Sequence, residues 1–254
     1  MNQLPNIFTL LNLICGCVAI VFSMQNGITI QYDSSGAQFI DLSEKIWMAS
    51  LFIGIAAVVD FLDGFVARLF NASSEMGKQL DSLADVVSFG VAPSMIVYQF
   101  LRMSFAAEEG GIDTSIFLLV PAFLIAAAGA YRLARFNLDN SHQPGFRGVP
   151  IPAAGLLIAS LPLIYWNSTN AIIINLITYK WFLYALIFFV SWLMVSRLSL
   201  MDLKFKNFSI KSNLSKYILL GFSVLAAVIL HWLAVPVIFI AYIILSLAFK
   251  NKSA

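Results

Sequence analysis

The chain has 254 residues, 60% of them hydrophobic and 11% charged, with a formal net charge of +2 and a mean hydropathy of +0.88. A water-soluble domain of this size has nowhere to hide so much apolar side chain. Apolar windows of membrane-spanning length recur along the whole chain, which predicts an all-α, polytopic membrane protein.

Eight helices are predicted, over about 7–24, 46–68, 80–102, 115–136, 150–167, 180–197, 215–231 and 234–249. The first apolar run, IFTLLNLICGCVAIVFS, follows MNQLPN, which carries no positive side chain, so it reads as a retained helix and not as a signal peptide. The two cysteines, Cys15 and Cys17, lie inside that run at a spacing unsuited to a mutual disulfide on a helix, and serve as small apolar filler. Pro150 and Pro152 shape the start of the fifth helix. Between the sixth and seventh helices, LSLMDLKFKNFSIKSNLSK is basic and partly amphipathic, and is expected to lie against anionic lipid headgroups. The last two helices form a hairpin around HWLAVP, with Pro236 fitting the turn or the first turn of the final helix.

Orientation follows from the basic residues. With the N-terminus inside, one set of connections carries Arg68, Lys78, Arg132, Arg135, Arg147, Arg197, Lys204, Lys206, Lys211, Lys216, Lys250 and Lys252, whereas the other carries only Lys45, Arg102 and Lys180. This bias predicts both termini in the cytoplasm of a cell inner membrane, together with the connection between the second and third helices.

That connection holds the chemistry. VVDFLDGFVARLFNASSEMGKQLDSLADVVSFG, residues 58–90, contains Asp60, Asp63, Asp81 and Asp85. Asp60 and Asp63 are three residues apart near the end of the second helix, and Asp81 and Asp85 four apart near the start of the third. Each spacing puts a pair on one helical face, and a short antiparallel connection lets the two pairs confront each other. Four carboxylates at such quarters repel unless divalent cations sit among them, and oxygen ligands without thiolate or imidazole suit Mg²⁺, Ca²⁺ or Mn²⁺. Single acids at helix ends are ordinarily solvated interface residues, but four on two facing helices within the membrane point to function. Gly64, Ala67 and Gly77 keep the aspartate faces low, and Arg68 is placed to meet phosphate oxygens.

As a pattern the stretch reads D-x2-D-G-x2-A-R-x8-G-x3-D-x3-D, matched at Asp60, Asp63, Gly64, Ala67, Arg68, Gly77, Asp81 and Asp85. It resembles the signature of the CDP-alcohol phosphotransferase family. The resemblance implies a six-helix catalytic core over residues 1–200, with residues 201–254 adding the basic loop and the C-terminal hairpin. It implies transfer of a phosphoalcohol group from a CDP-alcohol to a second alcohol with release of CMP. In that reading Asp60, Asp63, Asp81 and Asp85 hold metal, Asp85 is also the catalytic base, and Asn6, Thr9, Gly64, Arg68 and Ser74 bind the CDP-lipid.

DSLADVVSFGVAPS, YRLARFN and FRGVPIPAAG resemble the members that make phosphatidylserine. This implies CDP-diacylglycerol and L-serine as substrates, Mg or Mn, two ions, as cofactor, and a homodimer among membrane lipids with no nucleic acid partner. Arg132, Arg135, Asn137 and Arg147 are the residues expected to meet the acceptor or a phosphate, with Arg135 and Asn137 preferred for the serine carboxylate or lipid phosphate and Arg147 following with less support. Each arginine has an alternative as a positive-inside anchor. His142 and His231 have no neighbour in sequence that suggests catalysis. Two rivals stay open: a family member with a phosphorylated acceptor, making phosphatidylglycerophosphate or phosphatidylinositol phosphate, and a cation transporter. The transporter expects ionisable residues at several membrane depths, and here the acids gather at one.

Overall fold

A computed structural model describes residues 4–25, 29–32, 38–41, 45–69, 74–108, 111–138, 146–201 and 213–248. The side chains of Ala67, Arg68 and Arg147, His142, and the basic stretch 202–212 lie outside the described residues. Helices fill each of the eight expected stretches. They are α1 (Leu4–Met24), α2 (Ile46–Leu69), α3 (Glu75–Asp85) continuing into α4 (Ala92–Ala106), α5 (Ile116–Leu119) continuing into α6 (Leu124–Leu138), α7 (Ile151–Asn167), α8 (Ala171–Thr178), α9 (Lys180–Val195), α10 (Leu214–Leu230) and α11 (Ala234–Ala248). Two antiparallel ribbons are added: β1 (Thr29–Tyr32) with β2 (Gln38–Asp41), and β3 (Phe146–Arg147) with β4 (Ser199–Leu200).

By length and composition, five segments among the described residues are able to cross a membrane: Asn6–Met24, Ile46–Val66, Glu75–Ala106, Ile116–Leu138 and Leu214–Ala248. A sixth is the pair α8–α9, bent by 65° where Tyr179 turns extended, and Ile151–Asn167 is a shorter apolar helix. The Leu214–Ala248 segment folds back on itself, because His231 takes φ 49° and breaks α10 from α11. The chain is an all-α polytopic membrane protein.

The third segment is longer than expected and is the centre of the molecule. Ser74 caps α3, its hydroxyl accepting the Gly77 amide at 3.0 Å. After Asp85 the helix widens into a π-helical turn, Val86–Val91, before resuming as α4. Of its membrane-length window 61% is buried, against 17% for Leu214–Ala248, so α3–α4 is surrounded by protein while α10–α11 lies at the edge. Ile96, Val97, Phe100 and Leu101 on α4 are fully buried.

Close helix approach makes this packing. A Cβ on Gly16 would stand 2.7 Å from the Ser88 Cα, and one on Gly155 would stand 3.0 Å from the Phe89 Cα. Thus α1 and α7 both press their backbones against the π-helical turn, as small residues permit in membranes. The termini of several helices are tied at the end that carries the aspartates. Arg135 donates to the Val195 and Ser196 carbonyls at 2.8 and 3.2 Å, and the Gly148 amide donates to the Leu198 carbonyl at 2.9 Å.

Gly155→Val is expected to force these helices apart and to cost about 1–3 kcal/mol of stability. Gly221→Ala on α10, where a Cβ meets nothing within 4 Å, is the control. Thermal unfolding of the two variants in detergent, followed by size-exclusion chromatography, should show a loss for the first alone.

Candidate active site

Four elements build the site. α2 carries Asp60 and Asp63, α3 carries Asp81 and Asp85, α1 leans over both, and α6 approaches from the side. Carboxylate oxygens of Asp60, Asp81 and Asp85 all lie within 4.8 Å of one another. Asp63 stands beside them with one oxygen, Oδ2, accepting the Thr9 hydroxyl and the other, Oδ1, buried without a hydrogen-bond partner.

This donor set fits a hard divalent cation. Three oxygens at most 4.8 Å apart leave an ion among them no more than about 2.8 Å from each, so a small closing movement of the side chains reaches the roughly 2.0–2.6 Å of Mg²⁺ and Ca²⁺ ligands. An orphaned buried carboxylate oxygen on Asp63 gives the same indication, because a buried acceptor with no donor is costly. Asp60, Asp81 and Asp85 are therefore a cluster able to hold a metal ion, with Asp63 adjacent.

The sequence reading missed Asn12. Its side chain is fully buried and its amide donates to Asp85 Oδ1 at 3.4 Å, while its backbone carbonyl accepts the Ser88 hydroxyl at 2.9 Å. Asn12 thus ties α1 both to Asp85 and to the π-helical turn that follows it. A signal was present in the sequence: Asn6, Thr9 and Asn12 recur every three residues on an otherwise apolar helix, forming one polar stripe.

The expected CDP-lipid residues surround this stripe. A Cβ on Gly77 would meet the Asn6 side-chain oxygen and the Ser74 hydroxyl, each at 3.1 Å, so these three gather at the start of α3. Ser74 is also the helix cap. Gly64 is exposed, and a Cβ there would meet nothing within 4 Å.

The residues expected to meet the acceptor divide. Arg132 is 5% exposed, interacts electrostatically with Asp85, and its Nε has no hydrogen-bond partner. Arg135 instead spends its guanidinium on the carbonyls that end α9. Asn137 donates to the Ser82 hydroxyl at 2.8 Å, and its carbonyl accepts from Lys78 at 3.5 Å, binding α6 to α3. Only Arg132 of these three is directed at the aspartates. The backbone of Arg147 lies in the β3–β4 ribbon.

Comparison with known proteins agrees with this geometry. The sequence model of the CDP-alcohol phosphatidyltransferase family matches residues 2–193. A Bacillus subtilis protein named CDP-diacylglycerol–serine O-phosphatidyltransferase is 37% identical over 166 residues, 65% of this chain and 78% of the relative. A Helicobacter pylori protein of the same name is 36% identical over 218 residues, 85% of this chain and 77% of the relative. A third of that name, from Mycobacterium bovis, is 30% identical over 255 residues, 94% of this chain and 75% of the relative. A continuous match through the four aspartates and the helices that position them makes this chain a member of the CDP-alcohol phosphatidyltransferase family.

Proposed function

We propose that the protein is a CDP-diacylglycerol–serine O-phosphatidyltransferase, which transfers the phosphatidyl group of CDP-diacylglycerol to L-serine and releases CMP. The observation that carries this reading is the convergence of Asp60, Asp81 and Asp85 within 4.8 Å, inside the segment matched to the family. The acceptor is drawn from the relatives, whose printed name specifies serine.

Asp60, Asp63, Asp81 and Asp85 would hold Mg²⁺ or Mn²⁺, as two ions; bound there, the metal neutralises charge on the pyrophosphate and on the departing CMP. Asn6, Thr9, Gly64, Arg68 and Ser74 would hold the CDP group, with α1 closing over it. Thr9 also orients Asp63 through its hydroxyl. Asp85, fixed by Asn12, takes the proton of the serine hydroxyl as that oxygen attacks the phosphorus. Arg132 stands beside Asp85 with an unpartnered Nε, and its charge suits the serine carboxylate. The phosphodiester then leaves as phosphatidylserine.

The basic residues support a cytoplasmic site in a cell inner membrane, with both termini inside. A site at that level receives the lipid sideways and serine from water. We further read residues 1–200 as the catalytic unit, 201–254 as an appended loop and hairpin, and the working assembly as a homodimer.

CMP release by purified protein in mixed micelles, with CDP-diacylglycerol and serine, glycerol 3-phosphate or inositol phosphate offered singly, tests the reading. Serine-dependent release that stops with EDTA and returns with Mg²⁺ or Mn²⁺ is expected. Asp85→Asn should lower turnover by about 10²–10⁴-fold while CDP-lipid binding persists. Arg132→Ala should raise the KM for serine more than that for the lipid. Arg135→Ala should instead lower thermal stability and leave the serine KM nearly unchanged.

A further inference from the structure

The C-terminal hairpin lies outside the family match at residues 2–193, yet one of its side chains reaches the end of the bundle that holds the aspartates. α11, AVPVIFIAYIILSLA, carries two polar side chains, Tyr242 and Ser246. Both are buried, together with Phe239, and the spacing of these three marks one inward face of the helix. Ser246 is satisfied within α11, its hydroxyl donating to the Tyr242 carbonyl at 2.6 Å. Tyr242 instead reaches out of the helix and donates its hydroxyl to the Met201 carbonyl at 3.0 Å.

Met201 fixes where that hydroxyl lies. It follows β4, whose Ser199 and Leu200 pair with Arg147 and Phe146. β4 in turn follows the end of α9, where the Val195 and Ser196 carbonyls accept the Arg135 guanidinium. Arg132 stands about one turn before Arg135 on α6. The phenol is thus brought from α11 to the end of α6 that carries Arg132, and the two interact electrostatically.

Arg132 is a buried cation among competing neighbours. Asp85 attracts it and Arg135 repels it. The residue is 5% exposed and its Nε has no hydrogen-bond partner, so water does little to hold it in place. A phenol oxygen whose proton is committed to Met201 offers its lone pairs, the negative end of its dipole, to a donor. A guanidinium has five N–H donors and no acceptor, so such an oxygen steadies it without adding a counter-charge. Phenylalanine at this position would fill the same space and give Arg132 nothing.

Resting on the function proposed above, we infer that Tyr242 is a positioning residue for Arg132, through which the C-terminal hairpin closes the acceptor side of the site. It holds the guanidinium beside Asp85, where that group meets the serine carboxylate, and does not itself touch substrate. The hairpin therefore contributes to the affinity for serine, although none of it belongs to the segment matched to the family.

The test compares full-length Tyr242→Phe, Arg132→Ala and the double variant in the CMP-release assay, with Ser246→Ala as a buried control on the same helix. Tyr242→Phe should raise the KM for serine by roughly 3–10-fold, more than it changes kcat or the KM for CDP-diacylglycerol. That rise should disappear in the Arg132→Ala background. A serine KM unchanged by Tyr242→Phe, or raised equally with and without Arg132, overturns the proposal. So does an equal rise with Ser246→Ala, which would leave Tyr242 as a tie for the segment around Met201 alone. A second arm does not depend on turnover: thermal unfolding in detergent of Tyr242→Phe, Arg132→Met and both together. The shift caused by Tyr242→Phe should differ by about 1 °C or more between the wild-type and Arg132→Met backgrounds, and equal shifts overturn the proposal. If wild-type protein releases no CMP with serine, the functional reading falls, and this arm still decides whether Tyr242 holds Arg132.

Discussion

Four carboxylates brought face to face within a membrane helix bundle are the constraint on which the remaining structure depends. Repulsion among them favours separation of α2 from α3, and little in the described protein offsets it except Arg132. The bundle holds them together by packing. α3–α4 is clamped between α1 and α7 through the glycine contacts at Gly16 and Gly155, and Thr9 and Asn12 each bind one aspartate. Packing thus holds the charge excess in place, and a cation bound among the carboxylates would relieve it.

Much of the bundle was legible in the sequence because lipid imposes a simple rule on length and hydropathy. All eight apolar stretches are helices, and the break at HWLAVP is the hairpin turn. The site was legible for a different reason: aspartates at helical spacing are rare in apolar segments, so their spacing alone places them on two facing surfaces. Additions such as α8 and the two ribbons escaped notice, since α8 is as apolar as the helix it adjoins and its 65° bend rests on one extended residue, Tyr179.

What remained hidden is how side chains three residues apart are divided between tasks. Arg132 and Arg135 share a sequence motif and a helix, and either was able to meet an anion. The two lie only about 60° apart around α6 and about 4.5 Å apart along it, yet one side chain reaches toward Asp85 and the other the end of α9. Asn12 illustrates the converse. Its asparagine side chain in a lipid-length helix was visible, but its partner is 73 residues away and no local pattern links the two.

The π-helical turn at Val86–Val91 has a consequence for how this enzyme tolerates change in length. A π turn is one residue inserted into an α-helix, and each residue carries about 100° of rotation. It therefore sets the phase between two halves of one continuous helix: Asp81 and Asp85 face their partners on one side of it, while Phe100 and its neighbours face the core on the other. The wider turn takes up its extra residue without that rotation, whereas a residue gained or lost in the α-helical stretches on either side would rotate the catalytic half away from the structural half, so the turn is the place in this helix that absorbs a change in length.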